Sequence, residues 1–385
     1  MKLVRNPFVR LFTLSAITLL NLQNAQAVMV TWDGSHGSQD TWTTKQNWNG
    51  AGNKSIPVAG DDLHFFGPAR LLTNNNNITA ATSFIGLTFD SGAGSFSLNG
   101  NSITLAGNVV NNGTNAQTIN LPLILSGAAR DFDAASGDLV VSGSGTISGS
   151  FGVNKIGGFA LTLATANTYI GTTTISAGTL LANNISGSAT GTGAVSVALN
   201  GKLGGTGTIA PTGSNAISVS GVLTPGASVS MGNLTLDLAN TSGIVAMAAS
   251  SSFEYQLGAA GLNINTFGIS DLLTITGASA NDVGFTGNNI DLLASGGVGF
   301  YKLFDTSSDS STTWTGLTVT SGTGVITSGL TTSNLASGLT GTLIMGGNSL
   351  GGTSGDIYLH VVPEPSAALL GGLGALFLLR RRRNG

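Results

Sequence analysis

The ionisable side chains available for acid, base or metal chemistry are few: 17 acids, 14 lysines and arginines and three histidines in 385 residues, with no cysteine. Glycan or phosphate chemistry would need several carboxylates or bases converging on one face, as acid–base catalysis and Ca²⁺ binding require. The histidines, His36, His64 and His360, are far apart in sequence. The acids come closest at Asp61-Asp62 and Asp131-x-Asp133. Neighbouring strand residues point to opposite faces, so Asp61 and Asp62 would diverge, while Asp131 and Asp133 could share a face. Turn-forming aspartate is the preferred reading. Gly351-Gly352-Thr353-Ser354-Gly355-Asp356 has a superficial likeness to a Ca²⁺-binding nonapeptide, but the glycine spacing is wrong and there is one copy. No phosphate loop, zinc motif or nucleophile elbow occurs. Without cysteine there is no disulfide, thiolate nucleophile or Cys-ligated zinc. The expectation is a non-catalytic chain with no cofactor and no metal. A secreted polysaccharide-active enzyme assembled from scattered residues is the alternative.

Tryptophan offers a different chemistry. Three of the four, Trp32, Trp42 and Trp48, fall within residues 28–70. Exposed, they would form a stacking platform for glycan, the basis for a glycan-binding module as a further alternative. Buried, they would cap the first turn of a repetitive body, which any solenoid requires. The cap is preferred.

The elements that must position these residues are strands. Charged residues make up 8% of the chain, against about 25% in ordinary soluble domains, and the net charge is −3. That balance gives no electrostatic footprint for nucleic acid. The 58 glycines are roughly twice the usual share of ~7%. Across 71–240 short alternating runs recur, such as Ser102-Ile103-Thr104-Leu105, Ala160-Leu161-Thr162-Leu163 and Asn233-Leu234-Thr235-Leu236, separated by Gly, Asn and Ser. Alternation is the period of a half-buried strand, and those separators are turn formers. Repetition without long connections favours a parallel β-helix. Residues 241–345 hold a C-terminal β region richer in large apolar residues. The stretch 331–355 reads as loop, and 346–362 as a linker with a last strand.

Both ends read as addresses. Lys2, Arg5 and Arg10 precede the apolar stretch Leu11 to Leu22, and Ala25-Gln26-Ala27 supplies small residues where a signal peptidase cuts. Residues 1–27 are therefore expected to be a signal helix, with the mature chain starting at Val28. At the other end, Pro363-Glu364-Pro365 precedes the 14 residues Ser366 to Leu379 and then Arg380, Arg381, Arg382 and Arg383. As a helix the apolar part spans about 21 Å, against a hydrocarbon core of ~30 Å. It is a short transmembrane helix that snorkelling arginines would have to assist. The arginines hold that end in the cytoplasm, and the prolines isolate the tail from the body.

This tail, residues 363–385, resembles the PEP-CTERM sorting signal: Pro-Glu-Pro, a short apolar helix and a terminal arginine cluster, in that order. The resemblance implies recognition by an exosortase-type membrane peptidase in a Gram-negative-type, exopolysaccharide-producing bacterium. It also implies passage through an inner-membrane-tethered intermediate to the cell surface or matrix. A second resemblance lies at about 155–180. Lys155-Ile156-Gly157-Gly158, Leu161-Thr162-Leu163, Asn167-Thr168-Tyr169-Ile170-Gly171-Thr172-Thr173 and Gly178-Thr179-Leu180 resemble the autotransporter-associated β-strand repeat. That resemblance implies an all-β, right-handed parallel β-helix of the passenger type. The residues themselves place Leu161, Leu163, Ile175 and Leu180 inward, give Asn167 a turn or stacking role, and give Gly171 and Gly178 positive-φ turns. The function expected from both resemblances is a secreted, non-catalytic surface or matrix protein acting in exopolysaccharide matrix, biofilm or adhesion.

Overall fold

The computed structural model describes residues 28–50, 53–67, 71–226, 230–277, 283–294, 296–306 and 314–364. The expected signal helix and the expected membrane helix lie outside the described residues. Within them the chain is all-β, apart from one turn of 3-10 helix at Lys45–Asn47. No helix among the described residues is long and apolar enough to cross a membrane.

The strands build three stacks of parallel pairs that the chain visits in cyclic order, the arrangement of a β-solenoid. Leu87–Phe89, Ser97–Gly100 and Ile103–Leu105 lie on the first, second and third faces. Val109–Asn111, Gln117–Ile119 and Leu123–Leu125 repeat the circuit one level on. Leu87, Val109, Phe132, Lys155 and Ile175 are successive stacked partners, so one turn takes 20 to 23 residues. In Thr173–Ala182 and Val195–Gly205 one long strand serves both the first and second faces. Past residue 219 the turns lengthen: Val219 stacks on Met247, and Val245 on Val283. The same stacks continue across 240 as far as Trp314–Thr315 and Leu330–Ser333.

Alternation drives this arrangement. In most three-residue strands the outer two positions turn inward and the middle one outward, as in Leu123–Leu125 and Leu139–Val141. Stacking then builds continuous apolar columns such as Leu98, Ile119, Val141, Leu163 and Ala182, none with accessible surface. Each buried leucine contributes about 1.5–3 kcal/mol over an exposed one. Leu161, Leu163, Ile175 and Leu180 all lie in this interior.

Two details of the rung differ from expectation. Gly178 has the positive φ expected of it (+66°), but Gly171 does not. Gly171 is needed because a Cβ there would lie 2.3 Å from the Gly152 amide nitrogen of the adjacent turn. Asn167 does more than shape its own turn. Its Oδ1 accepts from the Ile147 amide at 2.6 Å and its Nδ2 donates to the Ala189 carbonyl at 2.6 Å, tying the turns before and after its own.

The first turn is covered on all three faces. Met29–Trp32 pairs in parallel with Asp62–Phe65 and antiparallel with Trp48–Gly50. The Trp42 amide donates to Asn75 O, the Asn75 amide to Asp40 O, and the Gly60 amide to Ser83 O. Exposed strand edges invite pairing with other chains, and this segment closes them. Its filling is aromatic: Trp32 and Trp42 each meet Trp48 edge-on at 5.1 and 5.5 Å, and Phe65 and Phe84 pack behind. At the far end, Gly299–Asp305 is joined antiparallel by Ile357–Pro363, which pairs in turn with Leu339–Met345. The stretch 331–355 is therefore not loop throughout. Thr340, Thr342 and the apolar Leu343, Ile344 and Met345 form a strand because Ile357–Pro363 offers them a free edge.

Candidate functional site

The ionisable residues collect into a few clusters, each placed by strand alternation and the 20- to 23-residue turn. In Asp62–Phe65 the apolar Leu63 and Phe65 face inward, which sets Asp62 and His64 on the outer surface. Asp61 turns the other way, is buried, and accepts the Val58 amide at 2.8 Å. One turn later Asp90 follows Leu87–Phe89. The His64 ring lies between two carboxylates, with Nδ1 2.9 Å from Asp90 and Nε2 3.4 Å from Asp62. The hydrogen bond to Asp62, joined by Asp90 and opposed by burial, raises the His64 pKa. Both ring nitrogens face a carboxylate, so the ring, when protonated, clamps Asp62 to Asp90 on the next turn. Asp62 and His64 stand two apart on one strand, but Asp90 lies 26 residues on and becomes a neighbour only once the turn length is known.

Asp131 and Asp133 share an outward face, as alternation requires. Asp131 is the centre of a ladder: it accepts from Asn108 Nδ2 and from Asn154 Nδ2, each at 3.1 Å, on the turns either side. Lys155 is a cluster the sequence did not reveal. It occupies an inward position between Phe132 and Ile175 and has no accessible surface. Its ammonium donates to the carbonyls of Ile156, Gly157 and Ala177 at 2.6, 2.8 and 3.1 Å. Burial lowers its pKa to about 8, against the pull of Asp133 and Asp138.

The last cluster lies near the C-terminal strand. Asp356, within the glycine-rich stretch likened above to a Ca²⁺ motif, is fully buried. It accepts from the Thr306 amide and hydroxyl, the Tyr358 hydroxyl and the Lys302 ammonium, the last at 2.7 Å. Lys302 also lies 4.8 Å from the Phe267 ring centre. Burial works against its charge, but the bond to Asp356, the charge of Asp356 and that of Asp305 together raise its pKa. Asp271 is buried nearby and pushed up to about 6 by desolvation, against hydrogen bonds from the Gln256 and Gly232 amides. His36 lies in the covering segment, and His360 stacks on Phe300 at 4.0 Å. The structure does not bring the three histidines together. Among the described residues no group of three or more His, Asp or Glu side chains is arranged to hold a metal ion.

Trp32, Trp42 and Trp48 are all 0% exposed. As a glycan platform they are therefore corrected: their indole N–H groups bond to Leu71 O, Asn74 Oδ1 and Trp42 O, and no ring face reaches a sugar. Pro363 closes the strand Ile357–Pro363, and Glu364 donates its amide to Gly338 O at 2.7 Å. Pro363 and Glu364 are thus exposed but still attached to the body, where full isolation was expected. Pro365, Arg380, Arg381, Arg382, Arg383, Ala25 and Ala27 lie outside the described residues. No protein-family model matches the chain, and no curated protein or solved structure matches it either.

Proposed function

We propose that this chain is an exported, non-catalytic surface or matrix protein: a rigid, right-handed β-helical rod delivered through its C-terminal tail to the exopolysaccharide layer. The observation that carries the reading is the order of parts at the C-terminus. The strand Ile357–Pro363 stops at Pro363, and Glu364-Pro365, the 14 uncharged residues Ser366 to Leu379 and four arginines follow in that order. An exosortase-type peptidase is the partner this tail fits, and the inner membrane holds the tail until processing. The right hand is the one that the twist of parallel strands favours in crossover connections. Polar groups within the rod support a mechanical role, since Asn167, Lys155 through its bond to Ala177 O, and the Asn108–Asp131–Asn154 ladder fasten turns to one another. In the matrix the rod would serve cohesion or adhesion.

The test is replacement of Pro363, Glu364 and Pro365 by alanine in the producing cell. Membrane insertion is expected to persist while processing stops and the body stays with the inner membrane. Unchanged processing and unchanged location would refute the sorting reading.

A further inference from the structure

The corner between the second and third faces carries an anchored apolar ridge. After the strand Ser252–Gln256 the segment 257–270 leaves the rod's regular path, and it contains no charged residue. It is fixed beside Gly299–Asp305: Gly261 exchanges backbone hydrogen bonds with Phe300 at 3.1 Å both ways, and the Gly268 amide donates to Phe300 O at 2.7 Å. Ile264 turns inward against Ile344 and Tyr358. Left outside are Leu262 at 93% exposure, Ile269 at 60% and Phe267 at 43%. Met231, packed against Gly258, and Val298 extend the ridge to either side. Apolar side chains held in water by a rigid support mark an interaction surface.

The same corner is where the body ends. Gly299 pairs with Val361 and abuts Gly261, and the strand runs on to Pro363 before Glu364 bonds to Gly338. Two strand spacings across and three residues along put Leu262 roughly 15 Å from Glu364. The chain then continues into Ser366 to Leu379 and the four arginines. We propose that the ridge rests on the outer surface of the membrane that receives this tail, so that the tethered body has a second, shallow lipid contact. The inference rests on the sorting reading. Lipid fits better than a protein partner because the ridge stands on a corner and offers apolar bulk from a segment, 257–270, that carries no charged residue for specificity.

The chain has no cysteine, so single labels are unambiguous. Full-length Leu262→Cys and Leu199→Cys proteins would carry a small fluorophore and be reconstituted into phosphatidylcholine–phosphatidylglycerol vesicles. Leu199 is 64% exposed in the strand Val195–Gly205, at the corner between the first and second faces. The label at 262 is expected to be several-fold less quenched by aqueous iodide than the label at 199, and to be quenched by lipids with brominated chains. In detergent-free vesicles that float with the protein, equal iodide quenching at both positions would overturn the ridge contact alone. Protein that fails to float with the vesicles would overturn the sorting reading and this inference with it.

Discussion

Replacing Lys155 by methionine keeps a long unbranched side chain in the same interior position but removes its titration. Burial holds the folded-state pKa at about 8, against 10.5 for the free side chain. That difference amounts to about 3 kcal/mol between the two protonation states. Because the folded value is the lower one, the native chain gives up this proton first as pH rises. Between about pH 8 and 10.5 the unfolded chain binds more protons, so stability rises with pH from this group. About 2 kcal/mol of that gain is expected between pH 7 and 9.5, before tyrosine ionisation intervenes. Denaturant unfolding of the wild-type and Lys155→Met proteins at those two pH values would measure it, and the difference of differences cancels every other titration. A Lys155→Met protein that gains as much as the wild type would refute the interior placement of the ammonium.

Leu161→Asp puts an unpaired carboxyl into the apolar column and should destabilise by several kcal/mol or prevent folding, read by thermal melting. Asn167→Ala leaves the Ile147 amide and the Ala189 carbonyl without their partner. A loss of about 2–4 kcal/mol is expected, with hydrogen exchange rising on the turns either side. For His64 the folded pKa is the raised one, so its stabilisation is complete below the unfolded value near 6.5 and fades as pH climbs through the folded value. The melting temperature should therefore fall more from about pH 6 to pH 8.5 in the wild type than in His64→Gln. Equal falls would count against the clamp.

Strand existence was legible because alternation survives even in three-residue strands, and the inward Leu161, Leu163, Ile175 and Leu180 follow from it directly. The turn length was not, because linkers that range from two residues at 101–102 to fifteen at 257–271, and the long strands serving two faces, blur any fixed spacing between apolar pairs. Everything that depends on turn length was hidden with it: Asp90 beside His64, Asn108 and Asn154 beside Asp131, and Gly171 against Gly152. Lys155 was hidden for another reason. Alternation assigns inward positions to apolar residues, and a lysine fits there because the carbonyls of Ile156 and Gly157 on its own turn and of Ala177 on the next converge on its ammonium. The strand Leu339–Met345 was missed because its Thr and Gly residues read as turn formers, while its partner's edge decides its conformation.

The most direct test of the account is the intact mass of the protein recovered from the surface of the cell that makes it. The expected mass is that of a chain beginning at Val28 and lacking Arg380 to Arg383. A surface-recovered chain that retains both Met1 to Ala27 and the terminal arginines would contradict delivery through the tail.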